Sequence, residues 1–389
     1  MTCQKLGILH VYRTYFPDPP GGLQEAIKQI CLATSIFGVE TKIFTLSPEP
    51  NPHRIGAPEG EVIRSRSWVA PASCDLGGLD SVLRFRELSA WADVIHYHFP
   101  WPFADVLHLF GIKGKPSVMT YHSDIVRQKC LGSIYAPLMR KTFRSMSAVV
   151  ATSPAYAKTS LVLNENVPAE NLQTIPLGIV DYYDTNFKSD SGLKILERFG
   201  LNKANPFILS LGVLRYYKGL HTLIAAANAI QGTIVIAGSG PEEQSLKSMT
   251  AELGVTNVVF AGQISQDEKV VLLQYCRALA LPSHVRSEAF GMVLVEASMF
   301  SKPMVCCEVG SGTSFVNAHA ETGFVIPPES PVDLAAACNQ LLADEQLALK
   351  MGRNARLRYE KLFSGDALGR AYFSLYQEVS NLDIGHSTQ

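Results

Sequence analysis

Two glutamates eight positions apart, Glu288 and Glu296, bracket the segment Ser287-Glu288-Ala289-Phe290-Gly291-Met292-Val293-Leu294-Val295-Glu296. An ionised carboxylate accepts hydrogen bonds from both hydroxyls of a diol and donates none. Gly291 stands where a loop turns into a helix. The first backbone N–H groups of that helix, at Phe290 to Val293, favour an anion such as a diphosphate. At about 1.5 Å per residue the two carboxylates stand up to about 12 Å apart. That separation is too wide for one acid–base pair, but it matches hydroxyls at opposite ends of a nucleotide sugar. The plain alternative is a surface glutamate ahead of an amphipathic helix and a salt-bridged one inside it. Glu296 lies in an apolar run, where an ionised side chain needs a partner.

Four further groups fall at the ends of predicted strands. Gly21-Gly22 follows the Pro17-Asp18-Pro19-Pro20 loop, and paired glycines let backbone N–H groups approach a phosphate closely. Arg215 and Lys218 lie in Leu211-Gly212-Val213-Leu214-Arg215-Tyr216-Tyr217-Lys218-Gly219. Two cations on a strand-to-helix turn can neutralise a diphosphate leaving group, although exposed cations at helix starts are common. Gly238 and Gly240 form a glycine turn ahead of Pro241-Glu242, a pattern that on its own is more often a turn than a site. Histidines His96, His98 and His122 complete the set. His96 and His98 share one strand face, but no third zinc ligand is evident from the sequence, so no metal is expected. His122 with Asp124 is the one pair that could activate water for a hydrolase or epimerase.

These groups need a scaffold that ends many strands at one edge. Apolar runs at Leu6–Val11, Thr41–Thr45, Val94–Tyr97, Ser117–Thr120 and Ala148–Ala151 alternate with helical stretches such as Leu23–Phe37. Such alternation predicts a parallel sheet covered on both faces. Pro48–Gly60, rich in Pro and Gly, reads as a loop. The pattern lapses into polar residues from about Pro176 to Lys203, where a domain boundary is placed. A second series runs through Pro206–Leu211, Thr233–Ala237, Asn257–Phe260, Ala278–Leu281 and Pro303–Val305, and the chain beyond Pro331 reads as helical to about Val379. Ligands bind such sheets at the carboxyl ends of the strands. The expected domains are 1–185 and 200–365, with 366–389 as a terminal helix and tail.

A chain of 389 residues is long for one core and suggests two domains. Its 47% hydrophobic and 18% charged content is that of an ordinary soluble protein. The net charge of −1 gives no global field toward nucleic acid. The eight cysteines are scattered without C-x-x-C spacing, as in reduced cytoplasmic proteins. No secretory leader or membrane-spanning run is evident. Ile125–Asn164 has no acidic residue and carries Arg127, Lys129, Arg140, Lys141, Arg144 and Lys158 among Leu131, Ile134, Tyr135, Leu138, Met139 and Phe143. Such a stretch reads either as a patch for an anionic leaflet or as a solvated helix face.

Pro282-Ser283, then Ser287-Glu288-Ala289-Phe290-Gly291, then Val295-Glu296-Ala297 resembles the E-x7-E signature of glycosyltransferase family 4. The resemblance extends along nearly the whole chain. It implies an α/β GT-B fold: two facing doubly wound, Rossmann-like domains with a cleft between them and a C-terminal helix crossing back to the first. It also implies a retaining, metal-independent hexosyltransferase without cofactor, using a nucleotide sugar. By the same resemblance Glu288, Lys218, Arg215 and His122 are catalytic. Gly21, Gly22, Gly238, Gly240, Gln263, Ile264, Phe290, Gly291, Met292, Val293 and Glu296 hold the donor, with Gln263-Ile264 beside the base. Val213 stands where the family carries arginine, so Arg215 is a stand-in. Val309–Asn317 with Glu321–Val325 looks most like bacterial mannosyl- and D-rhamnosyltransferases of O-chain assembly. GDP-mannose or GDP-D-rhamnose is therefore the expected donor, and a lipid-linked glycan at the inner membrane's cytoplasmic face the expected acceptor. Rival readings are a family 4 enzyme using a UDP- or dTDP-sugar, and a non-catalytic nucleotide-sugar-binding protein.

Overall fold

The computed structural model describes residues 5–18, 21–70, 74–124, 129–183 and 189–386, with side chains described throughout these except at 129–134, 189–191 and 381–386. The chain divides into two compact units, Met1–Val180 with Ser364–Gln389, and Asp181–Phe363.

The first unit carries strands β1 (Gly7–Val11), β2 (Glu40–Ser47), β3 (Arg54–Ala57), β4 (Gly60–Val69), β5 (Leu76–Gly77), β6 (Val94–Phe99), β7 (Ser117–Tyr121), β8 (Ala148–Ala151) and β9 (Leu172–Thr174). Its helices are α1 (Gly22–Ser35), α2 (Leu79–Trp91), α3 (Pro102–Phe110), α4 (Lys129–Ser145), α5 (Pro154–Thr159) and α6 (Leu161–Asn166). The sheet order is β3-β4-β2-β1-β6-β7-β8-β9, with β5 on β4. Pairing is parallel from β4 through β9, and antiparallel only where β3 and β5 meet β4. β1, β6 and β7 are buried along their whole length, as strands covered by helices on both faces must be.

One sequence expectation changes here, and one strand is added that the sequence reading did not name. Pro48–Gly60 is not all loop, because Arg54–Ala57 pairs antiparallel with β4. It is an edge strand, where Gly and Pro cost the ladder least. β4 itself reads as polar, yet Arg64 is buried against Asp18 at 3.2 Å, which removes its charge from the apolar pattern.

The second unit contains α7 (Ser189–Arg198), β10 (Phe207–Leu211), α8 (Leu220–Ala226), β11 (Thr233–Ala237), α9 (Glu243–Glu252), β12 (Val258–Gly262), α10 (Gln266–Tyr275) and β13 (Ala278–Leu281). It continues with α11 (Met292–Met299), β14 (Met304–Cys307), α12 (Thr313–Val316), β15 (Gly323–Ile326), α13 (Pro331–Ala343) and α14 (Glu345–Leu362). α7 lies inside the stretch expected to be irregular. Its one inward leucine, Leu196, is fully buried, too short an apolar signal to stand out among polar neighbours. All six strands are parallel in the order β12-β11-β10-β13-β14-β15. The order therefore reverses between β10 and β13, which makes the edge beyond these two strands the topological switch point where open α/β sheets take ligands.

The last helix, α15 (Gly365–His386), belongs to the first unit. It crosses α1 closely: a Cβ on Gly369 would lie 2.2 Å from the Ala33 carbonyl oxygen. Phe373 stacks on Phe37 at 5.4 Å. Leu368, Tyr372, Leu375, Tyr376 and Val379 close the core over Ile8, Val94, Val118 and Val150.

Candidate active site

The two loops that leave the switch point of the second sheet carry the groups with chemistry. After β10 the chain passes Gly212 and Arg215 to Lys218 and then turns into α8. After β13 it runs through Ser283 to Glu288 and then into α11. The Lys218 Nζ lies 2.5 Å from Glu288 Oε2, and both side chains are largely buried, at 13% and 10% exposure. The Ser283 hydroxyl donates to the same carboxylate oxygen at 3.0 Å. Burial works against the Lys218 ammonium, but the Glu288 carboxylate, with a share from Tyr217, outweighs it and raises the pKa above the usual lysine value. The result is a fixed cation on a strand-end turn with a carboxylate held beside it. Leu211, Gly212, Leu214, Lys218 and Leu281 line a small pocket at this point.

Backbone geometry locks these loops together. Gly238 adopts φ +132°, and a Cβ there would fall 2.0 Å from the Gly212 carbonyl oxygen, so the β11 turn can press on the β10 loop only without a side chain. A Cβ on Gly240, in the same turn, would lie 2.4 Å from the Leu214 carbonyl oxygen. On the other side, Glu288 has its carbonyl bound by the Ser311 hydroxyl at 2.6 Å. The Arg286 guanidinium donates to the Gly310 carbonyl at 2.7 Å. These bonds tie the Glu288 loop to the Val309–Asn317 segment.

Gly291 caps α11 at φ +82° without a side-chain hydrogen bond. The opening N–H groups of α11, at Met292 and Val293, precede the first intrahelical bonds and are open to an anion. Phe290 is buried with its ring edge-on to Phe363 at 6.0 Å, so it anchors the turn by packing. Glu296 is the fifth residue of α11, just over one turn in. Its Oε1 accepts from Lys269 Nζ at 2.6 Å and from the Tyr182 hydroxyl at 2.9 Å. The partner that the apolar run demanded is thus Lys269 of α10. Gln263, just past β12, accepts from the Ser239 hydroxyl at 3.0 Å, with Ile264 half-buried next to it. Arg215 is exposed at the start of the Tyr216–Lys218 turn.

In the first unit, Gly21 caps α1 without a side-chain bond, and a Cβ on Gly22 would meet nothing within 4 Å. The helix start is open, but neither glycine is there for a strained φ. The histidines form a row across the carboxyl ends of β1, β6 and β7. His10 Nδ1 lies 3.0 Å from His98 Nε2, and His98 Nδ1 lies 3.0 Å from His122 Nε2. His96 bonds the Tyr376 hydroxyl and Thr120, each at 2.7 Å. Burial pushes the pKa of His10 and of His122 down to about 3, and drives His96 and His98 well below the usual value. The row is a chain of neutral imidazoles.

His10 is also the third imidazole that the sequence did not reveal beside His96 and His98. The nitrogens of His96 and His98 and His10 Nδ1 are engaged with one another, with His122 or with hydroxyls, whereas His10 Nε2 is buried without a hydrogen-bond partner, and among the described residues the cluster comprises imidazoles alone. The pairing of His122 with Asp124 does not form. Asp124 instead accepts from the Tyr121 and Ser160 hydroxyls at 2.7 and 2.9 Å.

Within the basic stretch, Arg127 and the side chain of Lys129 lie outside the described residues. Arg140, Lys141 and Arg144 are exposed on α4, and Arg140 also donates to Asn166 at 3.1 Å. Phe143 is no part of a surface patch. It is 1% exposed, packed against Phe99 and Tyr121, because its place on α4 faces the sheet. Among the described residues no helix is long and apolar enough to cross a membrane.

Comparison with known proteins places this geometry. Residues 193–358 match the model described as "Glycosyl transferases group 1", and residues 21–178 match "Glycosyl transferase 4-like domain". The chain is 41% identical to D-rhamnosyltransferase WbpZ of Pseudomonas aeruginosa over 92% of each chain. It is 37% identical to O-antigen chain mannosyltransferase C of Escherichia coli over 95% of this chain and 97% of that one. The chain belongs to the family 4 glycosyltransferases. Its fold is GT-B: sucrose-phosphate synthase from Thermosynechococcus elongatus superposes with a TM-score of 0.77 at 23% identity, covering 96% and 99% of the two chains.

In this glycosyltransferase the group 1 match contains Lys218, Glu288 and Glu296, and the 4-like match contains the histidine row. Sequence reasoning missed Lys269, Tyr182 and His10, and quoted Ser283 and Ser311 within motifs without giving them a role. Both serines lie in loops that follow strands, β13 and β14, whereas Lys269, Tyr182 and His10 come from distant positions and have no local signature.

Proposed function

We propose that this glycosyltransferase moves a hexosyl group, mannose or D-rhamnose, from a GDP-sugar to a hydroxyl of a lipid-linked glycan during lipopolysaccharide O-chain assembly, with retained configuration. The observation that carries the reading is the buried Lys218–Glu288 pair, served by Ser283 and set at the switch point beside the open start of α11. In this reading the diphosphate sits on the Met292 and Val293 N–H groups. Lys218 and Arg215 meet the charge that develops as the glycosidic bond breaks, so no divalent ion is required for that step. Glu288 orients the hexose hydroxyls, and Glu296, already holding Lys269 and Tyr182, takes the ribose. The base lies by Gln263 and Ile264. The donor's own phosphate oxygen accepts the acceptor proton on the face from which the leaving group departs, which retains configuration. His122, in the first unit, is the remaining group assigned to catalysis, as a buried neutral imidazole.

The donor assignment is supported by the two relatives, one named for D-rhamnosyl and the other for mannosyl transfer. Exposed Arg140, Lys141 and Arg144 support a peripheral contact with an anionic leaflet, each worth about 1 kcal/mol near such a surface. The test is incubation of GDP-, UDP- and dTDP-sugars with and without a lipid-linked acceptor. The reading expects consumption of GDP-mannose or GDP-D-rhamnose that depends on acceptor, with product configuration retained by NMR. Preferential use of a UDP- or dTDP-sugar, or donor breakdown without acceptor, would overturn it.

A further inference from the structure

A second cluster of ligand-type side chains lies in the Asp181–Phe363 unit, and the proposed chemistry does not use it. His221 is the second residue of α8, three positions after Lys218. His284 sits in the loop after β13, four positions before Glu288. Glu329 lies in the turn between β15 and α13. One ligand atom from each of these residues lies within 4.8 Å of the other two.

Three observations set this cluster apart from a chance meeting of surface groups. Both ring nitrogens of His284 are shut off from solvent without a hydrogen-bond partner. Leaving a buried polar group unsatisfied costs about 1–3 kcal/mol, and such a group in a native protein calls for an explanation, an ordered water or a bound ion among them. Glu329 adopts φ +56°, in the left-handed region that a non-glycine residue enters at a cost of about 1–2 kcal/mol. Strain of this kind persists where a side chain's direction matters. Finally, the rings are held in place. His284 is edge-on to Tyr216 at 4.8 Å and to His221 at 5.0 Å, and His221 stacks on Tyr216 at 5.6 Å.

We propose that His221, His284 and Glu329 bind a divalent late first-row ion of the zinc class, which clamps the Glu288 loop to the start of α8 and to the β15–α13 turn. Two neutral imidazoles and one carboxylate are a common protein set for zinc, leaving a fourth tetrahedral position to water. Bonds of about 2.0–2.1 Å bring tetrahedral ligands to about 3.4 Å apart, a closure that side-chain rotations at an exposed glutamate and a half-buried histidine supply. The ion would join the loops that follow β10, β13 and β15 in one parallel sheet, and so hold Ser283 and Glu288 near Lys218. It takes no part in bond making, and the proposal does not depend on which sugar is transferred.

The test uses the full chain, free of any histidine tag, stripped with EDTA and titrated calorimetrically with zinc chloride. The expected result is one site per chain, weakened at least about tenfold by His221→Ala and by Glu329→Gln. Zinc is expected to raise the melting temperature of the wild-type chain and not that of either variant. Cobalt substitution should give a tetrahedral visible spectrum without thiolate-to-metal charge transfer, which separates this site from binding by the cysteines. The Glu329→Gln change sits on an exposed turn and leaves the core intact, so it reads the site even if a histidine variant folds poorly. Absence of a stoichiometric site, binding unchanged by Glu329→Gln, or a thiolate cobalt spectrum would each overturn the proposal.

Discussion

Replacing Lys218 with methionine keeps the length of the side chain and removes its charge from a largely buried pair. The ammonium and the Glu288 carboxylate are 2.5 Å apart, with side chains 13% and 10% exposed. Breaking such a pair by deleting one partner costs about 3–5 kcal/mol, because the remaining charge is left without compensation. The Ser283 hydroxyl continues to serve the same oxygen at 3.0 Å, which places the expected loss at the low end, about 3 kcal/mol. Hydrogen exchange read by mass spectrometry should show it as faster exchange in residues 207–220 and 278–296. The N-terminal unit, which holds all three tryptophans, should keep its fluorescence transition. In the Lys218→Met/Glu288→Gln double variant no orphan charge remains. The double change should therefore cost less than the sum of the single changes by at least about 1 kcal/mol. Turnover should fall about a hundredfold or more in Lys218→Met, since a preorganised charge aimed at the leaving group is lost. Additive stability effects, or turnover within about threefold of wild type, would refute the reasoning.

Acidification tests the histidine row. His10 and His122 are held to about 3 by burial, and His96 and His98 lie well below the usual 6.5. The unfolded chain then binds more protons than the folded one below pH 6.5. Stability is fully present above that value and is lost as pH falls toward 3, by about 1.4 kcal/mol per imidazole per pH unit. The tryptophan-detected urea midpoint should hold above pH 6.5 and drop steeply between pH 6.5 and 4.5, and a flat profile would contradict the neutral row. Gly238→Ala places a Cβ 2.0 Å from the Gly212 oxygen at φ +132°. It should destabilise the second unit by about 2 kcal/mol or more and weaken nucleotide binding; a wild-type melting temperature with normal donor affinity would count against the packed-loop account.

The parallel strands were legible because both faces are buried, so each reads as a short continuous apolar run: Phe207–Leu211 and Ala278–Leu281 are clear examples. β3 and β4 were not, because one is a glycine-containing edge and the other carries Arg64, neutralised by Asp18 from 46 residues away. The loop residues with chemistry could be found from their place after strands. Their partners could not: the Glu296 interaction with Lys269 and Tyr182, and that of His98 with His10, join positions with no fixed spacing. Glu329 gave no signal in the sequence, since only the fold brings it beside His284.

The most direct test of the account is a crystal structure of the chain with a non-transferable GDP-hexose. The account predicts the diphosphate on the Met292 and Val293 N–H groups within reach of Lys218, the hexose against Glu288 and the ribose against Glu296. A nucleotide bound away from the β10–β13 switch point, or a diphosphate that leaves Lys218 and the α11 start untouched, would contradict it.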